Sequence, residues 1–74
     1  MNERVNEGWV IISSVKVGQY EFVLGYDKDN PCTPYVTWEC NQLRGYYSYY
    51  WGHYFKTEKE AILDLTDRVR REVA

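Results

Sequence analysis

His53, Cys32, Cys40, Asp27 and Asp29 are the residues whose types could carry chemistry. Imidazole, thiolate and carboxylate are the donors that a tetrahedral zinc site takes. No CxxC pair occurs and His53 is the sole histidine, so spacing alone gives no metal signature. Nucleophilic catalysis has less support. No Ser or Cys adjoins His53 in sequence, no Gly-rich phosphate loop is present, and the carboxylates are scattered. No catalytic residue is assigned, and the chain is read as non-enzymatic.

The elements that must position these residues are legible from periodicity. Trp9 to Val17 is rich in β-branched residues and reads as a first strand. Gly18 supplies a turn. Tyr20, Phe22, Leu24 and Tyr26 then alternate with Glu21, Val23 and Gly25, the period of a second strand. Asp27 to Pro34 holds two prolines and an Asp/Asn cluster, which cannot continue a ladder. Tyr35 to Cys40 forms a third strand, Asn41 to Gly45 a turn, and Tyr46 to Phe55 a fourth strand. Thr57 and Glu60 make a capping box for a helix over 58–73, with Ile62, Leu65, Val69 and Val73 as its apolar stripe. The expected architecture is one α+β domain over residues 1–74, a four-stranded antiparallel sheet with the C-terminal helix on one face (ββββα).

Register decides the metal question. If Val36, Trp38 and Cys40 share an apolar face with the odd-numbered residues 47–55, His53 falls opposite Cys32 or Pro34, and Cys40 falls near Gly45 or Tyr47. Extended chain between Cys32 and Cys40 reaches up to about 26 Å, whereas a disulfide needs Cα atoms within about 7 Å. A disulfide is therefore not expected, nor one metal holding both thiols. Cys32 with His53 is the credible pair, with Asp27 and Asp29 on the same loop to complete it. Zinc there would be structural, tying the loop to the fourth strand. The alternative is a loop thiol, a small buried Cys40 and a histidine at an aromatic edge.

Composition narrows the partners. The chain has 74 residues and a net charge of -2. Such a chain has no general attraction for phosphate backbones or anionic membranes. Its start, MNERVNEG, is polar, and the apolar run from Trp9 to Ile12 is far too short to span a bilayer. The expected location is the cytoplasm of a bacterial host, where thiols stay reduced.

Aromatic content is the outlier: eight Tyr, three Trp and two Phe, with seven of these rings between 46 and 55. Tyr47, Tyr49, Trp51, His53 and Phe55 are assigned to the helix-covered core. Tyr46, Tyr50 and Tyr54, joined by Tyr35, are expected to form an exposed face. Tyrosines of this kind are enriched in recognition surfaces, and they also pair across strands merely to stabilise a sheet. A homodimer through that face would serve both purposes. A single-strand nucleic-acid platform would need basic residues beside the rings, and Arg68, Arg70 and Arg71 lie on the helix, expected behind the other face.

The segments YVTWECN (35–41) and YYWGHYF (49–55), followed by a Thr-capped helix with Glu60-Ala61, resemble small proteins of phages and mobile elements of gut-type Firmicutes. Anti-CRISPR proteins occur in that setting. The resemblance spans roughly residues 9–70 and implies a compact, non-enzymatic inhibitor that binds a Cas9-type RNA-guided nuclease and blocks loading of target DNA. Anti-CRISPR proteins share no binding motif, so the resemblance transfers no residue by position. A charge of -2 is modest for a DNA mimic, so shape and aromatic contacts are expected to matter more.

Overall fold

The computed structural model describes residues 4–41 and 48–73. Five strands and a helix follow in chain order: β1 (Val5–Asn6), β2 (Trp9–Val17), β3 (Tyr20–Tyr26), β4 (Tyr35–Asn41), β5 (Tyr49–Phe55) and α1 (Glu58–Val73). The strands form one antiparallel meander in the order β1-β2-β3-β4-β5. The architecture is α+β with a C-terminal helix on the sheet, as expected, but the sheet has five strands and not four. The extra strand is β1. Glu7 and Gly8 take φ of 50° and 90°, the twist that a two-residue hairpin turn needs, so Val5 pairs with Val10 and Asn6 with Trp9.

The other elements follow from local chemistry. Gly18, at φ 61°, turns the chain so that Val17 faces Tyr20. In the loop after β3, Asp27 Oδ1 accepts from the Asp29 amide (3.0 Å), and Asn30 Oδ1 accepts from the amides of Cys32 (3.0 Å) and Thr33 (2.9 Å). These are Asx turns, in which a short side chain replaces a backbone acceptor. At the helix start, Thr57 Oγ1 accepts from the Glu60 amide and Glu60 Oε1 accepts from the Thr57 amide, each at 3.3 Å. That is the capping box anticipated from sequence.

The sheet carries a core on each face. On the helix side, Phe22 and Leu24 pack with Ala61 and Leu65, flanked by Val17, Tyr35, Phe55 and Val69. On the other side lie Val23, Val36, Trp38 and Cys40, flanked by Trp9, Ile11 and Tyr49. Val36, Trp38 and Cys40 thus sit away from the helix, contrary to the expected register, because Tyr35 pairs with Phe55 and Thr37 with His53. The helix also turns a different stripe inward. Ala61, Leu65 and Arg68 are buried, whereas Ile62 and Val73 are 47% and 64% exposed.

The face without a helix is closed by curvature. The ring of Trp9 on β2 lies 5.7 Å from that of Tyr54 on β5, although three strand spacings, about 14 Å in a flat sheet, separate those strands. Register shifts between Ile11 and Ser13 and between Thr37 and Glu39 supply the bend. Gly25 supplies room: a Cβ there would meet Val36 Cγ1 at 3.0 Å and Trp38 at 3.3 Å.

Candidate functional site

The slip between β4 and β5 creates an unusual local geometry at Trp51 and Gly52. Thr37 faces His53, but Glu39 faces Tyr50, so Trp51 and Gly52 together oppose Trp38. Trp51 takes left-handed backbone at φ 57°, which costs a residue with a bulky side chain about 1–3 kcal/mol. Its indole gains no burial in return, being 75% exposed. Gly52 follows because Trp38 occupies the space: a Cβ there would lie 2.8 Å from Trp38 Nε1.

Arg68 from α1 holds this bulge. Its guanidinium is buried, donating through Nη2 to the Trp51 carbonyl and through Nε to Asp64 Oδ2 at 3.1 Å. Asp64 also accepts from Thr37 Oγ1 at 2.5 Å and lies 3.0 Å from His53 Nδ1. One carboxylate therefore ties together β4, β5 and α1. Burial alone would raise the Asp64 pKa, but the donors Thr37, His53 and Arg68 outweigh it and hold the carboxyl below its ordinary value. An ionised carboxylate only accepts, so His53 Nδ1 carries the proton and Nε2 is left as acceptor in the neutral ring. The Thr37 hydroxyl is wholly buried and committed to Asp64, so the His–Asp pair acts here as a clamp.

Across the sheet, Arg4 performs a similar task on the inner face. Nη1 donates to Glu21 Oε2 at 2.9 Å and Nε donates to the Tyr49 hydroxyl at 2.8 Å. Nη2 lies 2.8 Å from Glu21 Oε1 as an ion-pair contact that leaves Oε1 without a well-directed hydrogen bond. The hydrogen bond to Glu21 is the largest effect raising the Arg4 pKa. The Cys40 thiol beside it is pushed up to about 11, chiefly by burial, and so stays protonated at neutral pH. It behaves as a small core residue.

The expected tyrosine face is divided by the bulge. Tyr35 and Tyr50 lie on the helix side, where Tyr35 joins the helix-side core and Tyr50 faces Glu39. Tyr54 lies on the opposite side against Trp9 and is 53% exposed. Tyr46 is outside the described residues. Of the expected core positions on β5, Trp51 is out in solvent and Tyr49 packs on the inner face, while Phe55 does pack beneath the helix. Tyr47 is outside the described residues.

The expected metal ligands are not gathered. His53 is opposite Thr37 and bonded to Asp64, not opposite Cys32 or Pro34, because the register differs from the one assumed. Cys32 is an exposed free thiol, and Asp27 is engaged by its own loop. Among the described residues, no group of three or more His, Cys, Asp or Glu side chains is arranged to hold a metal ion.

Sequence reasoning missed Trp51 as an exposed residue, Arg68 as a buried one, and Arg4 as a half-buried one. A signal for the first was present: Gly52 after Trp51 in an aromatic strand marks a bulge or a close approach. Trp51 borders two cavities. One of about 380 Å³ is also lined by His53, Arg68, Arg71, Glu39 and Glu72. Another of about 230 Å³ is lined by Tyr20, Glu39, Asn41, Tyr50 and Trp51. No protein-family model, curated protein or solved structure matches the chain. Among the described residues no helix is long and apolar enough to cross a membrane.

Proposed function

We propose that this protein is a non-enzymatic binding protein that docks on a protein partner through the end of the sheet around Trp51. The carrying observation is the Trp51 indole, 75% exposed on strained backbone that a buried arginine holds in place. Strain maintained by a dedicated network at an exposed aromatic marks a position kept for contact. Trp is also the side chain most enriched among residues that dominate binding energy. Tyr50 and Tyr54 flank it on opposite faces. The docking surface is therefore an edge, β5, and not the flat tyrosine sheet expected from sequence.

The sharper form of the proposal is an inhibitor of the anti-CRISPR type, seated on a Cas9-type RNA-guided nuclease so that target duplex cannot load. Its support is the resemblance of the two aromatic segments and the capped helix. A cleavage assay with added protein tests it. Wild type suppresses cleavage and Trp51→Ala does so at least about tenfold less well, the scale of one anchor residue. Unchanged cleavage under a large excess of wild type rejects the nuclease as target.

One observation favours a second reading. Trp51, expected in the helix-covered core, is exposed instead and shares a cavity with Arg68 and Arg71. A single-strand nucleic-acid platform combines such groups. Both arginines are bonded to carboxylates, Asp64 and Asp67, and Glu39 and Glu72 line the same cavity. The protein-binding reading is preferred for that reason. Retention of single-stranded oligonucleotide at low salt would reverse the preference.

A further inference from the structure

The helix-side face of the sheet carries a second small enclosure lined by aromatic rings, of which Tyr20 also flanks the helix-side core. Tyr20 from β3, Glu39 and Asn41 from β4, and Tyr50 and Trp51 from β5 line its cavity of about 230 Å³. The register builds it: Tyr20 pairs with Asn41, Phe22 with Glu39, and Glu39 with Tyr50. Tyr20 is steadied by stacking on Phe22, with centroids 6.5 Å apart and planes 23° from parallel. Glu39, half-buried, lines the same cavity as these rings.

We infer that this enclosure binds an organic cation, and that the docking partner presents a lysine or arginine side chain to it. Ring faces carry negative electrostatic potential and attract ammonium and guanidinium groups, most strongly when several rings and a carboxylate converge. An anion is disfavoured. The neighbouring Arg68 is paired with Asp64 and Arg71 with Asp67, and two further carboxylates, Glu39 and Glu72, line the cavity beside them. The chain as a whole is also acidic, at -2. The identity of the cation's bearer rests on the proposal that this end of the sheet is the docking surface. The enclosure itself does not.

Amide NMR titration of the intact protein separates the two. Choline is the probe, compared with its uncharged carbon isostere, in which carbon replaces the nitrogen. Choline produces saturable shifts at Tyr20, Glu39, Tyr50 and Trp51. The isostere binds about tenfold more weakly, and Glu39→Gln weakens choline by a similar factor, the scale of a partly desolvated cation–π site. Tyr50→Ala, with spectral dispersion retained, is the second variant and loses choline as well. Absence of saturable shifts, equal binding of the isostere, or indifference to Glu39→Gln overturns the inference. A Lys/Arg peptide that moves the same resonances and is displaced by choline supports a partner's side chain as ligand. A peptide that leaves them unmoved while choline binds overturns that assignment. Cleavage left unchanged by a large excess of wild type that still binds choline rejects the nuclease as target and leaves the enclosure standing.

Discussion

Asp64 receives donors from three different elements: Thr37 on β4, His53 on β5 and Arg68 on its own helix. Its removal leaves a buried guanidinium without its counter-charge, and breaking such a pair is costly. Asp64→Asn is expected to lower unfolding free energy by about 2 kcal/mol in urea denaturation. The pH dependence has a definite sign. The folded carboxyl is depressed relative to the unfolded one. Its contribution is therefore complete above the unfolded value, about 3.9, and is lost as pH falls through the lower folded value. The difference between wild type and Asp64→Asn, measured from pH 6 down to about 2, is expected to hold constant at first and then shrink at the acid end. A difference that grows on acidification would mean that the carboxyl is protonated in the fold.

At the scale of elements, the helix is anchored by its first turn and the bulge by a missing side chain. Thr57→Ala removes the hydroxyl that caps Glu60 and is expected to cost about 1 kcal/mol. Gly52→Ala drives a methyl against the Trp38 indole and is expected to cost about 1–3 kcal/mol. Thermal melts of both variants check these values, and Gly52→Ala melting like wild type would show that the bulge relaxes freely. The elements also show what a sequence discloses. The bounds of β2, β3 and α1 were readable because alternation, a turn glycine and a capping box are local signals. β1 was missed because two residues give no periodicity, and its turn signal, Glu7-Gly8, is weaker than Asn-Gly. Tyr49 and Tyr50 were placed on the wrong faces because one extra residue at the bulge reverses the alternation across it, while Tyr54 and Phe55 beyond it lie on the faces expected. The tyrosine face did not survive that reversal, and the metal grouping did not survive the register, which sets His53 opposite Thr37.

For the whole molecule, the governing feature is a curled sheet with a core on each side. The expectation that one helix can cover only one face held for the helix, yet curvature brought Trp9 against Tyr54 and filled the other side with Trp38 and Tyr49. Part of the aromatic surplus is thus consumed in closing the sheet, and what remains outside gathers at β5. Arg4 locks this closure by joining the start of β1 to Glu21 on β3 and Tyr49 on β5. Arg4→Ala leaves a 3%-exposed Glu21 with an uncompensated charge and is expected to cost about 3 kcal/mol. Adding Glu21→Gln to it should restore part of that loss in a double-mutant cycle. Additive losses would show that the two side chains do not act as a pair.

The central claim is that Trp51 is held outward for contact, at the expense of the fold. Thermal denaturation of Trp51→Gly tests it most directly, because glycine accepts left-handed backbone without strain. The account predicts an unfolding midpoint raised by about 4–8 °C, corresponding to about 1 kcal/mol of relieved strain in a domain of this size. A midpoint lowered by a similar amount would contradict it, since the indole would then be stabilising the molecule that carries it.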